Sequence, residues 1–452
     1  MTPAESGKFC ARVNRPPTAA PGIALPTAVA VVVANMVGTG VFTSLGFQVG
    51  GLPSGFVLLM LWGVGGLCAF CGALAYGELA AALPRSGGEY HFLSRTLHPA
   101  AGFMAGWLSA TVGFAAPIAL AAMAFGRYFN SIHPGVSATL LSVGLVTGVA
   151  LIHASGLRAA ERFQNTATGL KLLLILFFIG AGIVLGRGQG TRFTPAAGDL
   201  DLVTSTPFAV NLVYVMYAYA GWNATTYIVG EVRDPRRNVP RSVALGTLLV
   251  TALYLALNAV FLHVAPMAEL QDRVEVGHVA AARLFGASGG NLMSGLICLG
   301  LVSSLSAMTW VGPRVTMTMG QDIRLLAPLA RCDSRGTPRR ALALQTLIVV
   351  ALLLTSTFEH VLTYVQFSLQ LCSFLTVLGM MILRRTQPDL PRPVRCWGYP
   401  ITPLIFLGIS LWMLVYLLRE RTMESLAGLA TLAAGLIVFR LSPPAKVADP
   451  VS

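Results

Sequence analysis

Met36-Val37-Gly38-Thr39-Gly40-Val41-Phe42, "MVGTGVF", interrupts an apolar run long enough to cross a bilayer, and "YAYAGWN" at 217–223 interrupts another. A helix that breaks in lipid exposes backbone N–H and C=O groups out of reach of bulk water. Each costs several kcal/mol unless a partner satisfies it. A single glycine cluster of this kind is most simply a close helix crossing. A matched pair of Gly-interrupted helices points instead to a site at mid-bilayer.

The rest of the chain supports a membrane setting. Of 452 residues, 55% are hydrophobic and 11% charged, whereas soluble domains carry about 25% charged residues. That composition excludes a water-soluble enzyme and a disordered chain. Twelve apolar stretches can span a core of ~30 Å: 24–47, 55–83, 102–129, 136–157, 163–185, 207–231, 239–264, 290–320, 342–358, 361–383, 401–418 and 423–439. The predicted fold class is an all-α membrane protein with twelve transmembrane helices, helices 1 and 6 being broken. Residues 1–23 read as a disordered cytoplasmic tail without a cleavable signal. One transmembrane domain fills 24–440, and 441–452 form a second cytoplasmic tail.

Charge sets the orientation. The net charge of +13 shows no basic stripe with interleaved aromatics, so no nucleic-acid partner is expected. With the N-terminus inside, 22 Lys and Arg fall on the cytoplasmic side and 7 outside, the asymmetry of a plasma (inner) membrane protein with both termini cytoplasmic.

The two breaks lie five helices apart. Five is odd, so two five-helix halves have inverted orientations: about 24–185 and about 207–383, followed by helices 11–12 at about 401–439. The half-helix starting near Thr39–Gly40 presents free N–H groups and a positive dipole end, which suits a carboxylate. Half-helices ending near Val37 and near Tyr217–Tyr219 present carbonyls, which suit an ammonium. Together they describe a site for an α-amino acid, with glycine permitting close backbone approach.

Lys171, in "FQNTATGLKLLLILFF" at 163–178, lies roughly 15 Å below the cytoplasmic surface at 1.5 Å per residue. A Lys at mid-bilayer costs about 2.5–3.5 kcal/mol even on the mild insertion scale. Carbonyls of the helix 1 break and the hydroxyls of Ser303 or Ser304 are its expected acceptors, with the ammonium standing in for a bound sodium ion. Tyr217, Tyr219 and Trp222 flank the second break either as core or as a lid. Asn223 suits either a pocket contact or an interhelical hydrogen bond. Glu78 closes helix 2 ahead of a connecting segment at 88–98 that suits the membrane interface. The seven Cys show no disulfide framework or zinc spacing. No metal site, cofactor motif, phosphate loop or catalytic constellation is present, so catalysis is not expected.

At these residues the chain resembles the amino acid–polyamine–organocation (APC) superfamily, and within it the L-type amino acid transporters and their bacterial relatives. "VGTGVF" (37–42), "YAYAGWN" (217–223), "YGELAAALPRSGGEY" (76–90), "GEVRDPRRNVPRS" (230–242) and "RRTQPDLPRPVRCWGYPITP" (384–403) carry the likeness. The resemblance implies a leucine-transporter-like 5+5 inverted repeat. It implies that Gly38, Thr39, Gly40 and Val41 bind a substrate carboxylate and that Val37, Tyr217, Ala218 and Tyr219 bind its amine. It implies that Tyr217 is the gating aromatic, where Phe is usual, and that Lys171 holds a sodium position. Animal members pair with a heavy subunit through a Cys after helix 3. Here 127–135 reads "RYFNSIHPG", so no disulfide-linked heavy subunit is expected.

The sequence therefore predicts sodium-independent transport of neutral L-amino acids by alternating access, as exchanger or proton-coupled symporter. No acidic or basic residue stands at either break to favour a charged substrate side chain. A cationic amino acid or polyamine carrier and a non-transporting amino acid sensor remain the alternatives.

Overall fold

The computed structural model describes residues 23–85, 87–155, 160–333 and 337–441. The predicted tails lie almost wholly outside these residues. Among the described residues the chain is helical, and strand pairing amounts to one isolated parallel bridge, Ile23 with Val232. The main helices are α1 Leu25–Met36, α2 Gly40–Gln48, α3 Gly55–Ala82, α4 Gly88–Thr96, α5 Pro99–Leu108, α6 Ala115–Ile132, α7 Ala138–Ser155, α8 Ala160–Leu185, α9 Thr206–Tyr219, α10 Pro235–Val264, α11 Val276–Asp322, α12 Arg339–Thr355, α13 Phe358–Thr386, α14 Ile401–Glu420 and α15 Thr422–Leu441.

Local chemistry sets several boundaries. The hydroxyls of Ser54, Ser205 and Thr357 accept from the first-turn N–H groups of Val57, Phe208 and His360, which satisfies donors that a helix start leaves without partners. Proline occupies the first turns of α1, α5, α9 and α10, where its missing N–H is not needed.

α3 is the central helix. It packs on α9, α10 and α14, and its glycines set the spacing. A Cβ at Gly65 would stand 2.3 Å from Val215, and one at Gly66 would stand 2.4 Å from Thr251. Such small residues let helices meet closely where lipid offers no hydrophobic gain for association. Outward, Leu140 on α7, Leu173 and Val184 on α8, Leu347 on α12 and Met423 on α15 are exposed. A bilayer covers such an apolar exterior; water would not.

Among the described residues eight helices are long and apolar enough to cross a membrane: Leu25–Gln48, Gly55–Ala82, Pro99–Ile132, Pro235–Val264, Val276–Met317, Phe358–Thr386, Ile401–Glu420 and Thr422–Leu441. Ala138–Ala154 and Gly169–Leu185 are shorter apolar helices. Each predicted apolar stretch contains helix, with instructive differences. The stretch predicted at 290–320 begins earlier, at Val276, and kinks at Gly286, whose φ of 74° is open chiefly to glycine. The stretch predicted at 207–231 does not resume as α-helix after its break. It continues in 3₁₀ turns at Ala224–Tyr227 and Val229–Glu231. Segment 88–98 is mostly the separate helix α4. Cys68, Cys71, Cys298, Cys372 and Cys396 are buried free thiols.

Candidate functional site

The chain leaves α1 at Val37, with φ −73° and ψ 85°, and re-enters helix at Gly40. The first N–H groups of α2 have no i−4 carbonyl within α2 itself. Of these, Phe42 N–H bonds to Thr39 O at 3.0 Å. The second break follows Tyr219: Ala220 turns the chain with ψ 141°, and Gly221 takes φ 102°.

The breaks touch one another. A Cβ on Gly40 would stand 2.5 Å from Ala218 Cα, and one on Gly221 would stand 2.9 Å from Asn35 O. Gly38 is less confined, its nearest neighbour being Met36 O at 3.9 Å. The hydroxyls of Thr39 and Tyr217 lie 2.9 Å apart. The structure thus brings Val37, Gly38, Thr39, Gly40, Val41, Tyr217 and Ala218 together.

The carbonyls at the two breaks already have donors. Lys171 Nζ donates to Val37 O at 3.0 Å and to Ser304 Oγ at 2.9 Å. Lys171 is 5% exposed, so α8 and α11 clamp the end of α1 through a buried ammonium. Ser303 is fully buried beside this contact. Ala220 N–H donates to Tyr217 O at 3.0 Å. Each carbonyl has a second lone pair for a further donor.

Sequence reasoning missed Tyr254. Its hydroxyl lies 2.7 Å from Met36 O and 3.0 Å from Ala218 O, spanning the ends of α1 and α9 from α10. One proton serves two carbonyls. The only sequence signal was a tyrosine inside the apolar run "TALYLALNAVF" at 251–261. Tyr128 was missed likewise: from α6 it donates to Phe42 O at 2.8 Å and braces α2.

The other predicted residues separate. Tyr219 is fully buried, donates to Trp62 O at 3.2 Å and packs its ring against Trp62 and Tyr254. Trp222 meets Tyr76 edge-on at 4.6 Å. Both side chains are therefore core, and of the three aromatics at the second break Tyr217 is the one that reaches the first break, at Thr39. Asn223 begins the 3₁₀ turn after the break, its carbonyl accepting from Thr226 N at 2.9 Å. Among the described residues no group of His, Cys, Asp or Glu could hold a metal.

Two clusters close the ends of the bundle. Glu78, 2% exposed, accepts from Arg384 Nε and Cys396 N at 2.7 and 2.6 Å, with Arg392 Nε at 3.4 Å. Two motifs read separately in the sequence, 76–90 and 384–403, thus meet in one buried ion cluster. At the opposite end Tyr214 donates to Glu359 at 2.9 Å, Glu359 pairs with Arg421, and Phe47 of α2 stacks between Tyr214 and Phe358.

The family model described as amino acid permease matches residues 23–434. Asc-type amino acid transporter 1 of Mus musculus is 26% identical over 429 residues, covering 93% of this chain and 80% of that protein. The b(0,+)-type amino acid transporter 1 of Mus musculus is 25% identical over 431 residues, covering 93% and 87%. Large neutral amino acids transporter small subunit 2 of Homo sapiens is 28% identical over 429 residues, covering 93% and 80%.

Proposed function

The chain belongs to the amino acid permease family, and from that membership we propose that it carries neutral L-amino acids across the membrane by alternating access without sodium. It is a multi-pass membrane permease and not an enzyme. On our reading twelve transmembrane helices form a single domain over 24–440, the first ten as two inverted five-helix repeats. The protein resides in the plasma (inner) membrane with both termini cytoplasmic, and it works as an exchanger or proton-coupled symporter.

One observation carries the site assignment: the start of α2 at Gly40 lies directly against Ala218 in the last turn of α9. The dipole end at Thr39–Val41 favours a carboxylate, and the carbonyl ends near Val37 and Tyr217–Tyr219 favour an ammonium. Tyr217, held to Thr39, is the gating aromatic. Asn223 borders the site. Lys171 with Ser304 supplies the fixed positive charge that a sodium ion would otherwise bring, which supports sodium independence. The neutral preference rests on segments 36–42 and 217–223, which carry no acid or base, while the Lys171 ammonium beside the first break is taken up by Val37 O and Ser304 Oγ. One relative bears the name of a small subunit; with no Cys in 127–135, this chain does not pair by disulfide with a heavy subunit.

The test is reconstitution in liposomes with radiolabelled amino acids against loaded and empty interiors. Uptake of neutral amino acids that persists when choline replaces sodium is the expected result. A requirement for a sodium gradient overturns the role of Lys171, and uptake confined to cationic substrates overturns the neutral preference.

A further inference from the structure

Glu89, in the first turn of α4, is 5% exposed. Its Oε1 accepts from Tyr76 OH of α3 at 2.6 Å and from Ser373 Oγ of α13 at 2.8 Å. Both donors are neutral hydroxyls, and the ion pairs among the described residues leave Glu89 out. A buried carboxylate without a cation is disfavoured relative to its protonated form.

The cage around it touches the second break. Tyr76, which holds the carboxyl, also packs edge-on against Trp222 at 4.6 Å, the residue that follows Gly221. A Cβ on the neighbouring Gly88 would stand 2.4 Å from the Tyr227 ring, so the start of α4 abuts the 3₁₀ turn leading away from the break. In alternating access one part of the bundle rocks against another. A displacement of 222–227 must loosen the contacts that enclose Glu89.

We propose that Glu89 is a proton-binding site that gates the end of the substrate path facing α4, cytoplasmic on the topology above. The proposal rests on the transport reading. In the closed arrangement the carboxyl is neutral and fits its dry cage. When water enters from the α4 side, the proton leaves the carboxyl for that water and the carboxylate is solvated. Closure takes one proton back from the same water.

The surrounding charges leave this role to Glu89. On α3, Glu78 is committed to Arg384 of α13 and to Arg392. On the connection and α4 itself stand Arg85, His91 and Arg95; burial, then Arg85 and Arg95, push His91 down to about 4, so it stays neutral. The first turns of α5 carry no ionisable side chain, the 3₁₀ turn offers Tyr227, and α13 offers Cys372 beside Ser373. Burial raises the Glu89 carboxyl above its ordinary range, against the lowering effect of the two hydroxyl donors. A raised carboxyl is protonated at higher pH than usual, so the closed form gains as pH falls.

Full-length protein in liposomes preloaded with unlabelled amino acid is assayed for exchange while pH is varied in each compartment separately. Wild-type exchange should rise as the pH facing α4 rises, along a one-proton curve. Glu89→Gln should be flat over the same range. Tyr76→Phe, which removes a donor to the carboxylate, should move the midpoint upward by about 0.5–1 pH unit. Active Glu89→Gln with the wild-type pH curve, an unmoved midpoint in Tyr76→Phe, or wild-type exchange insensitive to pH on that side each overturns the proposal. If Glu89→Gln is inactive, Glu89→Asp decides: a pH-dependent curve with a moved midpoint supports the role, and an unmoved curve overturns it. Failure of the wild type to exchange any amino acid would instead refute the transport reading itself.

Discussion

The Lys171 ammonium lies 3.0 Å from the carbonyl oxygen of Val37, the residue at which α1 ends. Its second partner, Ser304 on α11, lies at 2.9 Å, so one cation couples three helices at the first break. Lys171→Ala removes donors from two buried acceptors, about 1–3 kcal/mol for each left unsatisfied. The expected outcome is at least about tenfold slower transport, with Ser304→Ala milder because the Val37 contact survives. Initial uptake rates in liposomes check both; an unchanged rate in Lys171→Ala would make the residue structural.

Gly40 and Gly38 should respond differently to the same change. A Cβ at Gly40 collides with Ala218 backbone at 2.5 Å, whereas at Gly38 the nearest atom is 3.9 Å away. Gly40→Ala should force α2 and α9 apart and raise the substrate KM roughly tenfold, about 1.4 kcal/mol. Gly38→Ala should stay close to wild type. Equal effects of the two substitutions would argue against the Gly40–Ala218 contact as the seat of binding.

Tyr254→Phe keeps the ring and deletes the hydroxyl that spans Met36 O and Ala218 O. A buried acceptor left without its donor costs about 1–3 kcal/mol. The two breaks should then lose their common tether, raising KM about tenfold while the folded yield in size-exclusion chromatography stays near wild type. Wild-type kinetics in this variant would show that the tether carries no function.

Stability should depend on Glu78 far more than on surface pairs. Glu78→Gln leaves Arg384 and Arg392 without their shared buried carboxylate; breaking a buried pair costs about 3–5 kcal/mol. Arg237 and Asp234, 4.0 Å apart with side chains 72% and 54% exposed, are worth under about 1 kcal/mol. Thermal unfolding in detergent should therefore show a large loss for Glu78→Gln and little for Arg237→Gln.

Much of this arrangement was legible in the chain. The start of α2 at Gly40, the end of α1 at Val37 and a Lys171 contact with the first break and with Ser303 or Ser304 follow from glycine interruption and from the need to satisfy a deep ammonium; the fold selects Ser304. The second break was legible only in part. Gly221 marked the turn, but the 3₁₀ course of 224–231 depends on packing against Tyr76 and the start of α4, which no local pattern encodes. Tyr254 escaped because a tyrosine in an apolar helix reads as core until the carbonyls it faces are known. Tyr219 and Trp222 looked like partners of Tyr217, yet their rings turn toward α3.

The order of apolar segments and the placement of the two breaks are properties of composition and spacing, and the sequence determined them unaided. Which groups meet at the breaks is a matter of contacts between residues far apart in the chain: Ala218 with Tyr254, Trp222 with Tyr76 and so with Glu89. Those pairings arise when helices are brought together at distances set by glycine against side chain, and only the tertiary structure decided them.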